Sequence, residues 1–165
     1  MARTQVGIVG LLRADLDSVW ALFTVRGLAT LFYRVSARAG RTHPALGSIF
    51  KQFNHLLTGA DIAWQAEIGP NLSIFHPTGV VIGKYVCIGS GAIVQGGVTI
   101  GGTGRSTSTE IESVVVGDDC SFGAGSTLVG PLTLGDRVSV GAGAVVTRSF
   151  PDGSTLVGIP ARSRS

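Results

Sequence analysis

Charge, cysteine and long apolar runs are all scarce in this sequence, and each shortage removes a class of function. Only 14% of the 165 residues are charged. The 13 Lys and Arg form no dense basic run, which argues against a nucleic-acid surface. Cys87 and Cys120 stand without a C-x-x-C pattern or a neighbouring histidine. Neither a disulfide framework nor a metal quartet is indicated, and a reducing, cytoplasmic setting is expected. The apolar stretch Val19 to Tyr33 is broken by Arg26 and falls short of the roughly 20 residues that cross a bilayer. After the apolar Val6 to Leu12, the charged Arg13, Asp15 and Asp17 occupy the place of a small-residue cleavage site, so no secretion signal is expected.

What is present is glycine. The chain has 25, beside 44% hydrophobic residues, a combination that suits repeated tight corners around an apolar interior. Its length fits one ordinary domain able to bury its own core. The net charge of +3 suits an anionic ligand, and Arg148, Arg162 and Arg164 gather near the end.

After residue 60 apolar residues recur every sixth position. One series is Ile62, Ile68 and Ile74; a second is Ile82, Ile88, Val94 and Ile100; a third runs Val116, Phe122, Leu128, Leu134, Val140 and Val146. Two residues before each lies another small or apolar residue, such as Val80 before Ile82 or Cys120 before Phe122. Residues two apart share a face of an extended strand, so each unit sends two side chains inward and then turns. Helical spacings of three and four are absent here, and a sandwich or barrel with regular turns is the weaker alternative. The pattern predicts a β-solenoid of triangular section, three strands to a coil.

Before residue 58 the periodicity is helical. Leu16, Val19, Trp20 and Phe23 follow an acidic start at Asp15 and Asp17, and Leu28, Leu31, Phe32 and Val35 extend the pattern. After a break at residues 41–44, Leu46, Ile49, Phe50, Phe53, Leu56 and Leu57 form a second stripe that ends at Thr58 and Gly59. These helices are expected to cap the open end of the solenoid, whose edges and apolar surface need covering. The expected division is a helical segment at 1–58, the solenoid at 59–150 and a C-terminal tail at 151–165.

Two interruptions break the period. Between Ile74 and Ile82 the step is eight, which places two extra residues around Phe75, His76, Pro77 and Thr78. Between Ile100 and Val116 it is 16, read as two repeats plus four residues, so 101–113 is expected to loop out.

The stretches G-A-D-I (59–62), F-H-P-T-G-V-V-I-G (75–83) and V-T-I-G-G-T-G (98–104) resemble the serine acetyltransferase core, as do G-A-G-S (123–126), G-A-G-A (141–144) and V-G-I-P-A-R (157–162). The resemblance covers about residues 28–162 and implies a mainly β fold, a left-handed parallel β-helix of hexapeptide repeats behind a short α-helical N-terminal cap. It implies an acetyl-CoA-dependent O-acetyltransferase, with His76 as general base and Asp61 orienting it. An imidazole titrating near neutrality is suited to take the proton of an attacking hydroxyl, and a carboxylate on its other nitrogen fixes the tautomer. Acetyl-CoA is expected along the C-terminal coils against Gly102, Ala124 and Ala142, with Arg162 or Arg164 at its phosphates. The resemblance also implies a homotrimer with active sites between subunits, and no metal. His43 and His55 are expected to be structural.

Members of that family carry an aspartate where this chain has Phe75, and an Arg-His pair after G-G-T-G where this chain has no histidine. A further family aspartate lies in a larger N-terminal helical domain. These features grip the amino-acid substrate, and a zwitterion needs such counter-charges. The expectation drawn here is therefore a different small hydroxyl acceptor, a sugar or a secondary-metabolite intermediate, with Phe75 and Arg105 at the acceptor site. L-Serine is the alternative, with Arg105, Glu110 and Glu112 supplying replacement charges. A non-catalytic solenoid used for binding is the third possibility.

Overall fold

A computed structural model of the chain describes residues 7–16, 19–102 and 113–163. It begins with α1 (Ile8–Asp15), a 3-10 turn (Val19–Phe23), α2 (Val25–Thr42) and α3 (Pro44–Thr58). Short strands then follow one another at hexapeptide spacing: β1 (Asp61–Ile62), β2 (Glu67–Ile68), β3 (Ser73–Ile74), β4 (Val81–Ile82), β5 (Val86–Ile88), β6 (Ile93–Val94), β7 (Thr99–Gly101), β8 (Val114–Val116), β9 (Ser121–Phe122), β10 (Thr127–Val129), β11 (Leu132–Leu134), β12 (Ser139–Val140), β13 (Val145–Val146), β14 (Thr155–Val157) and β15 (Arg162–Ser163).

Every third strand stacks on the one before. One face of the prism is β1-β4-β7-β10-β13, the second β2-β5-β8-β11, and the third β3-β6-β9-β12-β14, with β15 folded back antiparallel on β14. The six-residue period is the physical cause, because it returns the same apolar position to the axis in each coil. Ile62, Ile82, Ile100, Leu128 and Val146 accordingly form one inward column, each no more than 1% exposed.

Strand register measures both interruptions. The pairs Ile62 with Ile82, Ile68 with Ile88 and Ile74 with Val94 each span 20 residues, while Ile82 with Ile100 spans 18. The extra two residues therefore sit in the corner between β3 and β4. The second interruption differs from the sequence expectation. Val116 pairs with Ile88 on the second face, at a distance of 28 residues, so the step from Ile100 is one repeat plus ten residues. Two repeats plus four would have carried Val116 on to the third face. Residues 103–112 lie outside the described residues, and Arg105, Glu110 and Glu112 with them; Asp17 and Arg164 are outside as well.

The helical cap is built differently from the stripe that the sequence suggested. Asp15 does not open a helix. It closes α1 and is buried, accepting hydrogen bonds from Arg34 Nε at 2.7 Å and from the Leu72 amide at 2.9 Å. Arg34 in turn donates to the carbonyls of Ile68 and Gly69, both at 2.6 Å, and Tyr33 donates to Ala66 O at 2.8 Å while accepting from the Ile68 amide. At Ala66, Ile68, Gly69 and Leu72 the first coil thus has edge groups satisfied by polar side chains of α1 and α2, which deals with hydrogen bonds that a bare strand edge leaves open. Helix α2 begins at the Thr24 cap, whose hydroxyl accepts from the Gly27 amide.

Small residues let α2 and α3 cross closely. A Cβ on Gly40 would fall 2.4 Å from the Trp64 ring, and one on Gly47 would fall 2.5 Å from Gly40 Cα. As a result α3 turns Gly47, Asn54 and Thr58 inward, and Leu46, Ile49, Phe53, Leu56 and Leu57 stand exposed on its other side. No helix among the described residues is long and apolar enough to cross a membrane.

Candidate active site

The corner between the third and first faces is stacked from amide to carbonyl along the prism. Gly79 N–H donates to Gly59 O, Gly97 to Thr78 O, Gly125 to Gly96 O and Gly143 to Ala124 O. Gly59, Gly79, Gly97, Gly125 and Gly143 all have φ between 66° and 76°, the left-handed conformation that this corner demands and glycine supplies without strain. A second corner repeats the same geometry at Asn71, Gly91, Asp119, Arg137 and Gly153.

His76 belongs to neither column. Its φ of 55° makes it, among the described residues, the one non-glycine left-handed residue outside the repeated corners. Such a conformation costs free energy and persists where surrounding structure enforces it. Here it accompanies the two-residue insertion: Phe75 N–H still donates to Val94 O and Thr78 O still accepts from Gly97 N–H, so His76 and Pro77 are the residues added to the corner. The imidazole is exposed on the prism edge, and among the described residues its side chain makes no hydrogen bond. The next coil passes directly against its backbone, since a Cβ on Gly96 would lie 2.7 Å from His76 O.

The other expected site residues divide into those this edge gathers and those it does not. Ala124 and Ala142 are exposed and lie on the same edge, stacked in sequence above Thr78 and Gly96. The Ala124 amide donates to Gln95 Oε1 at 3.1 Å. Arg162 is exposed in β15, whose preceding turn closes over the last coil through Val145 N–H to Gly158 O and Ala161 N–H to Val145 O. That turn ends the same edge. Gly102 is exposed but stands at the far end of the first face, beyond β7.

Phe75 continues the third face outward, 38% exposed, with the Arg26 guanidinium 4.3 Å from its ring centroid. Arg26 also reaches Ser73 Oγ at 3.3 Å. The apolar wall expected at Phe75 therefore carries a cation from α2, held by ring quadrupole and hydroxyl together.

Asp61 opens β1 with its side chain outward, because Ile62 fills the interior position. Strand β1 pairs with β4, the strand entered directly from the His76 corner, so the two residues occupy neighbouring coils as the sequence spacing suggested. The hydrogen bond between them is not formed in this structure. Asp61 Oδ1 is instead 2.5 Å from Lys51 Nζ on α3. Lys51 carries no local sequence signature: it stands between Phe50 and Phe53 in an otherwise apolar stripe, and its ten-residue separation from Asp61 crosses the turn at Gly59.

His43 and His55 are exposed at the two ends of α3, where His43 provides the N-cap backbone and His55 O accepts from the Gly59 amide. Cys120 points into the core between coils, where burial pushes its thiol up and away from nucleophilic use.

Residues 113–148 match the family model described as the hexapeptide repeat of succinyl-transferase. A serine acetyltransferase of Bacillus pumilus is 35% identical over 161 residues, covering 98% of this chain and 68% of the relative. That of Bacillus subtilis is 33% identical, covering 92% and 75%. The chain belongs to the serine acetyltransferase family. Among solved structures, soybean serine acetyltransferase complexed with serine superimposes with a TM-score of 0.82 at 31% identity, covering 95% of this chain and 68% of that one. The mainly β hexapeptide-repeat helix with a short helical cap is thus the serine acetyltransferase architecture.

Proposed function

We propose that this chain transfers the acetyl group of acetyl-CoA to the hydroxyl of L-serine, with His76 as general base. The observation that carries the reading is the insertion at residues 75–78, which sets an exposed imidazole in a left-handed backbone on an otherwise regular prism edge. The acceptor follows the relatives, which are named serine acetyltransferases, and the soybean structure that holds serine. Their names favour serine over the sugar or secondary-metabolite acceptor that the sequence departures suggested.

In the reaction the His76 imidazole accepts the hydroxyl proton as the oxygen attacks the thioester carbonyl. A tetrahedral adduct forms. Its collapse breaks the carbon–sulfur bond, expels CoA thiolate and leaves the acetyl ester, and the imidazolium returns its proton to the sulfur. Asp61 holds the imidazole and stabilises its charged form. Acetyl-CoA lies along the edge above His76, where the small Ala124 and Ala142 let an extended pantetheine arm reach the backbone and Arg162 meets phosphate. Gly102 borders the same molecule from the end of the first face. A neighbouring prism of a homotrimer forms the other wall.

A second reading rests on Phe75 and Arg26. The family aspartate that precedes the histidine is absent, and a cation stacks on its replacement, so among the described residues an ammonium group meets no counter-charge there. An acceptor without an ammonium would suit that wall. Release of CoA thiol measured across L-serine, hydroxy acids and sugars separates the two. Turnover with serine supports the main reading; turnover with another acceptor and none with serine supports the second.

A further inference from the structure

We propose that Lys51 is a positioning residue, one that holds the Asp61 carboxylate through a single oxygen and moderates the charge Asp61 presents to His76. The inference rests on the reading of His76 and Asp61 as the base and its orienting partner.

Lys51 Nζ approaches Asp61 Oδ1 at 2.5 Å, with the two side chains 27% and 38% exposed. Helix α3 is set for this contact by its end, where Gly59 takes a left-handed conformation and turns the chain straight into β1. Lys51 lies two helical turns before that point, on the helix that packs against β1. A carboxylate has two oxygens and accepts at both. Among the described residues Asp61 Oδ2 has no partner, which leaves it for an imidazole N–H. One oxygen fixed by a cation and one offered to the base makes a better defined acceptor than a carboxylate free to rotate.

The charge effect has a definite sign. An isolated carboxylate beside an imidazole favours the imidazolium, whereas a carboxylate already paired with an ammonium favours it less. The charged and titratable groups on the elements packed here are Lys51 and His55 on α3 and Arg26, Tyr33, Arg34, Arg38 and Arg41 on α2, of which Arg26 stacks on Phe75 and Arg34 pairs with Asp15, while β4 carries none. Replacing Lys51 by a neutral side chain therefore leaves the carboxylate unopposed and favours the protonated base, which is inactive.

The test uses the full chain with acetyl-CoA and L-serine, or the acceptor that the screen above identifies, comparing wild type, Lys51→Met and Lys51→Arg. Lys51→Met is expected to lower kcat several-fold, with KM for acetyl-CoA unchanged, and to move the acid limb of the kcat/KM profile to higher pH by up to about half a unit, as fits a half-exposed ion pair. Lys51→Arg keeps the cation and is expected to restore both. A Lys51→Met profile that superimposes on wild type would overturn the proposal. So would equal defects in the Met and Arg variants, which would point to packing. Failure of the underlying reading looks different: His76→Ala would then turn over like wild type.

Discussion

The carbonyl oxygen of His76 sits where a side chain on Gly96 would have to go, 2.7 Å from the position of its Cβ. The histidine corner can therefore form only against a residue that has no side chain. Gly96→Ala is expected to displace the 75–78 segment and to cost about 1–3 kcal/mol of stability from overpacking. Because the base moves with its backbone, kcat/KM should fall on the order of 10–100-fold. Thermal melts together with CoA release check this, and activity should suffer more than folding.

Asp15 and Arg34 are both almost fully buried, and they tie three segments together: α1, α2 and the first coil. Arg34→Met removes the guanidinium and strands the carboxylate and two carbonyls. A loss of about 3–5 kcal/mol is expected, read from urea unfolding. Asp15→Asn keeps a hydrogen-bond acceptor and should cost less.

Burial holds the Tyr33 phenol neutral and pushes its pKa up to about 12, against a partial counter-effect from Arg34. A phenol whose pKa is raised on folding contributes stability that is present below its unfolded pKa of about 10 and is lost as pH climbs towards 12. Unfolding free energy is thus expected to drop by roughly 2–3 kcal/mol across that window. Tyr33→Phe should be less stable at neutral pH and should lack this alkaline step. Denaturant titrations at a series of pH values distinguish the two curves.

Ser126 occupies an interior corner position that Val80, Val98 and Ala144 fill in other coils, and its buried hydroxyl has no hydrogen-bond partner among the described residues. Ser126→Ala removes an unpaired polar atom from the core. Stability is expected to stay the same or rise by about 1 kcal/mol, with activity unchanged.

The solenoid was legible because its period of six is also its mechanism of burial, and each apolar hit marks a side chain on the axis. The same period hides the size of an insertion. A step of 16 is two repeats plus four or one repeat plus ten, and only the pairing of Val116 with Ile88 distinguishes them. The cap was harder to read for a different reason. Apolar residues on α3 were expected to cover the open coil, whereas the covering contacts come from Asp15, Tyr33 and Arg34, polar side chains whose partners are backbone groups more than 30 residues away. Motif spacing placed Asp61 and His76 on neighbouring coils, but the ion pair with Lys51 is a tertiary contact that no local pattern announces.

His76 as general base is the step on which the proposed reaction depends. CoA thiol release from acetyl-CoA with L-serine should drop about 10²–10⁴-fold in His76→Ala, with the fold intact by circular dichroism. Equal turnover by the variant and the wild-type chain would contradict it.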